Sequence, residues 1–262
     1  MRHGPCDHLA RHCHRDPFAA IVLSGGYCEA GDRGRVRVQA GDVVLHGPYE
    51  SHLDRVDRGG AEQIVLPWNA QARHSHVGHI DDPDLLARIV ERDPHEAVCY
   101  LEEQLRLVAA SQGDWPDRLA HDLGNDPDLE IRAWAERAEL RRESVARGFR
   151  RVYGVAPSAF RARARTLKAL AMMVRGDGLA DIAAACGFAD QSHMSRSVRR
   201  LTGYSPRLFR GIARAARSEA DARIGPPNGH DPSAETDGLS THHRPYTVHN
   251  TKRPKGHQKI LL

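Results

Sequence analysis

Phe149-Arg150-Arg151-Val152-Tyr153-Gly154-Val155-Ala156-Pro157-Ser158-Ala159-Phe160-Arg161 recurs 49 positions later as Val198-Arg199-Arg200-Leu201-Thr202-Gly203-Tyr204-Ser205-Pro206-Arg207-Leu208-Phe209-Arg210. Apolar, arginine, glycine and proline positions coincide, so the two stretches are copies of one structural unit. Each copy is preceded by a short helical pattern, a tight turn and a second helix studded with arginine. That order builds two helix-turn-helix units in tandem.

In the second unit, Leu179 to Cys186 reads as an Ala-rich helix. Gly187 supplies the positive φ at its end, and Asp190 is a good N-cap for the next helix. Met194, Val198 and Leu201 share one face at i, i+4, i+7 and are expected to lock onto Ile182, Ala183 and Phe188. Gln191, Ser192, Ser195, Arg196 and Arg199 then turn outward. The first unit places Val145, Phe149 and Val152 where Met194, Val198 and Leu201 stand, and Trp134 and Ala135 where Ile182 and Ala183 stand. Its outward set is Arg142, Glu143, Ala146, Arg147 and Arg150.

Arg147 and Arg196 occupy equivalent mid-helix sites, from which a guanidinium can fork onto guanine O6 and N7 in a major groove. The base-reading candidates are therefore Arg142, Glu143, Ala146, Arg147, Gln191, Ser192, Ser195 and Arg196. Arg150, Arg151, Arg199 and Arg200 lie a turn further along and suit phosphates, which add affinity without sequence information. Pro157 to Val174 joins the units as a helix, with Phe160, Leu167, Leu170 and Val174 on its apolar spacing. A rigid helix would set the two heads in major grooves one turn apart, about 34 Å. Charge agrees: residues 115–217 hold 20 Lys and Arg against 11 Asp and Glu, near +9 in a chain of net +4, which leaves the remainder near −5.

The run Leu179-Ala180-Asp181-Ile182-Ala183-Ala184-Ala185-Cys186-Gly187-Phe188-Ala189-Asp190-Gln191-Ser192-His193-Met194-Ser195-Arg196, followed by Gly203-Tyr204-Ser205-Pro206 and Phe209-Arg210, closely resembles the signature of AraC/XylS-type transcription regulators. The resemblance covers about Asp117 to Arg214. It implies promoter DNA as partner, and an amino-terminal part that senses an effector, mediates dimerisation, or both. Two residues depart from the pattern: Glu139 stands where the first turn usually has Gly, and Arg141 where a Ser cap is usual. A non-Gly residue at positive φ costs about 1 kcal/mol, so the first unit is expected to be the softer or less specific reader.

Upstream, Phe18 to Trp68 reads as short strands: Ile21-Val22-Leu23, a break at Gly25-Gly26, Val36 and Val38 in alternation, Gly41 to Pro48, and Gln63 to Leu66. This spacing suits a small antiparallel sandwich or barrel. Pro83 to Ala110 turns helical, with Pro94 opening a second helix whose Val98, Leu101, Leu105 and Val108 form a stripe. That stripe either covers the sheet or pairs with its copy in a second subunit. Gln112-Gly113-Asp114 reads as a linker. After Ala216 the composition shifts to Pro, Gly, His and Ser, and the tail through Leu262 is expected to be disordered. The expected domains are 1–80 (sensor), 81–113 (helical packing or dimerisation), 114–217 (DNA binding) and 218–262 (tail).

No apolar run approaches the roughly 20 residues a bilayer needs, and the start lacks a signal-peptide core, so a cytoplasmic protein without membrane contact is expected. Five cysteines without a Cys-x-x-Cys pair indicate reduced thiols. Cys6, His8, His12, Cys13 and His14 crowd the start, and His46 and His52 flank the next glycine-led strand. The segment from His12 to Val56 looks like the cupin-type sensor domain that many such regulators carry. In metal-binding cupins a His-x-His pair is followed closely by Glu and later by His; His12, His14 and His52 match, but only Asp16 follows.

His14, His46 and His52 are therefore candidates for an effector pocket, His12, His14 and His52 for a metal, and the same histidines could equally pack or cap strands. No hydrolytic, nucleophilic or phosphate-loop motif is present. The expected fold class is α+β: a cupin-like antiparallel β-barrel or sandwich, then an all-α domain with two helix-turn-helix units. The expected function is that of a non-enzymatic homodimeric transcription factor without a cofactor, with DNA, a small-molecule effector and RNA polymerase as partners. The alternative is a cupin-type metalloenzyme with an accessory DNA-binding domain.

Overall fold

The computed structural model describes residues 1–68, 75–108, 113–126 and 128–223. Its first half is an antiparallel sheet of β1 (Arg2–His3), β2 (His8–Cys13), β3 (Phe18–Gly31), β4 (Gly34–Gln39), β5 (Asp42–His46), β6 (Ser51–Pro67), β7 (Val77–His79) and β8 (Arg106–Leu107). The path runs β1-β6-β3-β5-β7-β8, with β2 on β6 and β4 on β3. Side chains alternate across a strand, and the sheet sorts them into two apolar faces. Ala19, Ile21, Val43, Leu45 and Leu66 pack with Leu86 and Ile89 of α1 (Pro83–Arg92) and Ala97 and Leu101 of α2 (Pro94–Gln104). Val22, Tyr27, Val36, Val38, Val44 and Val56 form the other core.

Two sequence expectations change here. The Gly25-Gly26 pair does not end a strand: β3 continues to Gly31, and its pairing with β6 shifts register around Gly25. A bulge absorbs the extra residue, and Gly25 takes φ of 69°, which costs glycine little. The second helix stops at Gln104 instead of carrying its stripe to Val108, because Leu105 turns extended and Arg106–Leu107 pair with β7. The buried part of the stripe covers the sheet, the first of the two alternatives. The segment expected as a separate helical unit thus shares the sheet's core. Among the described residues no helix is long and apolar enough to cross a membrane.

The second half is helical: α3 (Trp115–Asn125), α4 (Ile131–Arg137), α5 (Arg142–Tyr153), α6 (Pro157–Arg175), α7 (Leu179–Ala185), α8 (Gln191–Thr202) and α9 (Pro206–Arg223). It has two cores with the joining helix α6 in both. Phe160 enters the first with Trp134, Val145, Phe149 and Tyr153, while Ala169, Leu170 and Met173 enter the second with Ile182, Met194 and Val198. One rod of 19 residues thereby spaces the two units. The observed class is the expected α+β order, a sheet domain followed by a helical one. Helix α9 runs past the expected boundary at 217 to Arg223; the rest of the proposed tail lies outside the described residues.

Candidate nucleic-acid interface and sensor-domain histidines

The two units superimpose in their hydrogen bonds. Glu139 N donates to Glu136 O and Leu140 N to Ala135 O; Gly187 N donates to Ala184 O and Phe188 N to Ala183 O, 48 positions on. The following helices are offset by 49, so the second turn carries one residue more than the first. Glu139 has φ of 55° where Gly187 has 69°, and the strain expected of the first turn is present. Asp190 caps α8, its Oδ1 accepting from His193 N at 2.6 Å, whereas Arg141 makes no side-chain cap on α5. A missing cap costs about 1 kcal/mol, so both departures soften the first unit.

Helix packing orients the outward set. With Val145, Phe149, Met194 and Val198 all fully buried, Arg142, Glu143, Ala146, Arg147, Arg150 and Arg151 of α5 are exposed. On α8, Gln191, Ser192, Arg196, Arg199 and Arg200 are exposed and Ser195 is half-buried. Among the described residues none of these arginines is held in an ion pair. Their charge stands unneutralised on two equivalent helix faces.

Other arginines fasten the first unit to the sheet. Arg55 of β6 donates to the carbonyls of Arg151 and Val152 at the carboxyl end of α5, where a cation is favoured. Arg11 of β2 donates to Tyr153 O and Ala30 O, both at 3.1 Å. Gly154, at φ of 74°, ends α5 so close to the sheet that a Cβ there would meet Leu53 Cδ2 at 2.9 Å. Asp32, in the β3–β4 turn, accepts from Arg11, from Arg163 Nε of α6 at 2.6 Å and from Ser51 N at 2.8 Å. None of these ties was visible in the sequence, where a lone arginine reads as a solvated surface charge.

In the sheet domain His12, His14, His46 and His52 gather into one cluster. Ring centroids lie 4.4 Å apart for His12 and His52, 5.4 Å for His14 and His52, and 4.5 Å for His46 and His52. Sequence reasoning missed Glu29, which is buried beside His46 and His52. It comes from β3, and its arrival depends on the register that pairs Gly31 with His52. The available signal was a carboxylate at an inward strand position two residues from Tyr27. Burial alone would raise Glu29, but His46 and His52 outweigh it and hold the carboxyl far below its usual range. Burial pulls His52 down, and its hydrogen bond to Asp54 with the neighbouring charge of Glu29 reverses that and brings it to about 10. His14, desolvated and beside the other imidazoles, falls to about 4.

A cleft of about 370 Å³ opens beside this cluster, walled by Leu45 and Trp68 of the sheet side and Leu167, Leu170 and Val174 of α6, with Phe209 of α9. Of the three proposed pocket histidines, His46 lines it and His14 and His52 do not. His12, His14 and His52 each offer a ring nitrogen within 4.8 Å of the others, and so do His46, His52 and a carboxylate oxygen of Glu29.

Comparison with known proteins agrees with this geometry over one segment. Residues 134–211 match the model of a helix-turn-helix domain. No curated protein matches the chain. Among solved structures, the DNA-binding domain of AdpA, a global transcriptional factor in complex with a target DNA, is 27% identical; the match covers 41% of this chain and 99% of that one, with a TM-score of 0.38. ToxT from Vibrio cholerae, bound to unsaturated fatty acid, is 11% identical over 80% of this chain and 92% of its own, with a TM-score of 0.38. A DNA-binding transcriptional dual regulator from Escherichia coli K-12 is 17% identical over 41% and 99%, with a TM-score of 0.37. Over residues 134–211, where the family model, the duplicated hydrogen-bond pattern and the paired exposed arginines coincide, the chain carries an AraC-type helix-turn-helix DNA-binding domain.

Proposed function

We propose that the chain is a sequence-specific regulator of transcription that reads double-stranded promoter DNA with α5 and α8. The observation that carries this reading is the repetition of exposed, unpaired arginines at equivalent positions of the two helices, Arg147 with Arg196 and Arg150 with Arg199. Arg142, Glu143, Ala146, Arg147, Gln191, Ser192, Ser195 and Arg196 face the base edges. Arg150, Arg151, Arg199 and Arg200 hold phosphates on either side. The second unit, capped by Asp190 and turned on Gly187, is the more rigid reader.

The cleft between the sheet and α6 is the proposed effector site. Its volume suits a small molecule, its walls are mostly apolar, and Arg33 and Glu50 supply polar groups. Since α6 belongs to both helix-turn-helix cores, a ligand that favours one position of α6 against the sheet shifts the two heads together relative to the sheet, and its influence is limited to its difference in affinity between the two arrangements.

The reading is tested on two arginines one turn apart. Arg196→Ala is expected to lose about 1–3 kcal/mol at the cognate site and little on unrelated duplex. Arg199→Ala is expected to weaken binding to all sequences and to reduce the slope of log K against log salt by about 1. Fluorescence anisotropy over a salt series measures both. Unchanged discrimination in the first variant, or an unchanged slope in the second, removes that residue from its role.

A further inference from the structure

Glu29, His46 and His52 reach one point from three strands, β3, β5 and β6, and are only 3%, 4% and 6% exposed. Within that packing, among the described residues, Glu29 Oε2 and His46 Nε2 have no hydrogen-bond partner, while His52 faces Glu29 with Nδ1, which Asp54 also holds. Two facing polar atoms left orphaned in one buried cluster are unusual, because native proteins satisfy nearly all such groups with protein, water or an ion. Glu29 Oε2 lies 3.4 Å from His46 Nε2 and 3.3 Å from His52 Nδ1. Donors that hold one ion at about 2.0–2.2 Å with tetrahedral angles are themselves about 3.3–3.6 Å apart. The two separations from Glu29 are those of a ligand set, and the three ligand atoms all lie within 4.8 Å of one another.

Space and access fit the same occupant. A void of about 10 Å³ is lined by two of the three residues, Glu29 and His46, together with Ser51 and His76, and not by His52. That is room for about one water or one ion, and far below what an organic effector fills. The void shares Arg33, Leu45, His46 and Glu50 with the larger cleft, which gives an ion a way in.

We propose that Glu29, His46 and His52 hold one divalent first-row transition-metal ion. Two imidazoles and one carboxylate favour ions of the zinc, nickel and iron class over calcium or magnesium, which prefer all-oxygen sites. Imidazole ligates as the neutral ring, so the arriving ion displaces the proton that His52 Nδ1 shares with Asp54 Oδ1 at 3.1 Å. Asp54 then remains as a negative charge beside the cation. This site shares His52 with the group of His12, His14 and His52 but differs from it in its other two ligands, and it does not depend on the DNA-binding reading.

The test uses the full chain, stripped with chelator and titrated with Co²⁺ followed by visible absorption, with Zn²⁺ as competitor and no DNA present. The expected result is one equivalent of Co²⁺ bound with ligand-field bands of a four- or five-coordinate site, displaced by Zn²⁺. Glu29→Gln and His46→Gln, both close in shape to the original, are each expected to raise the Kd by at least about 100-fold. The pair His12→Ala with His14→Ala is expected to leave it within about threefold, since neither residue is a ligand. Zn²⁺ is also expected to raise the Tm of the unaltered protein and not that of Glu29→Gln, a readout taken only from molecules that fold. Absence of stoichiometric binding by the unaltered protein overturns the proposal. So does binding that survives Glu29→Gln and His46→Gln, or that disappears with His12 and His14.

Discussion

Asp32→Asn is expected to cost about 3–5 kcal/mol of folding stability, because it removes the one carboxylate between two largely buried guanidinium groups. The Asp32 side chain is 5% exposed, that of Arg11 9% and that of Arg163 20%. Both carboxylate oxygens are used, Oδ1 by Arg11 and Oδ2 by Arg163 Nε and Ser51 N. Burial already lowers Arg11 below the usual arginine value, and Asp32 opposes that shift. In the variant one uncharged amide oxygen is left between the two guanidiniums; Arg11 keeps the carbonyls of Ala30 and Tyr153, and Arg163 keeps Tyr49 O and Cys13 Sγ. Breaking a buried pair from one side is far more damaging than replacing the whole pair by apolar groups. Urea unfolding measures the loss; a value below about 1 kcal/mol would mean that the two guanidiniums rehydrate and that the junction is looser than described.

Phe149→Ala is expected to cost a similar amount, about 3–5 kcal/mol, through a cavity at the centre of the first core. Phe149 is fully buried, stacked on Tyr153 at 4.6 Å between centroids and edge-on to Phe160 at 5.4 Å. Its neighbours resist collapse into the hole. Tyr153 is pinned by its hydroxyl, which donates to Asp117 Oδ1 at 2.8 Å, and Asp117 is itself held by Arg35 at 2.7 Å. Because Ala30 and Leu53 of the sheet share this core, the loss is expected in one cooperative unfolding step of the sheet and the first unit together. A separate early transition of the helical half, with the sheet's own midpoint unchanged, would show that the two fold independently.

The elements that govern DNA reading were legible because their signals are local. The spacing of Met194, Val198 and Leu201, the Asp190 cap, the Gly187 turn and the misplaced Glu139 each depend on residues within about one or two turns. The same spacing turns Arg147 and Arg196 outward, and both are exposed. What could not be read depends on register and on distant elements. Glu29 is 17 positions from His46 and 23 from His52, and strand pairing alone brings them together. Arg11, Arg55 and Arg163 carry no sequence mark that separates a buried tie from a solvated charge. Helix α2 ends at Gln104 without a Gly or Pro to stop it, since the competing partner is β7, nearly 30 residues upstream.

Footprinting of the full chain on duplexes selected by it from a random pool tests the central claim, that two spaced heads read one face of the double helix. The account predicts two patches of major-groove guanine protection on the same face, about one helical turn or 34 Å apart. One patch alone, or two on opposite faces, would contradict it.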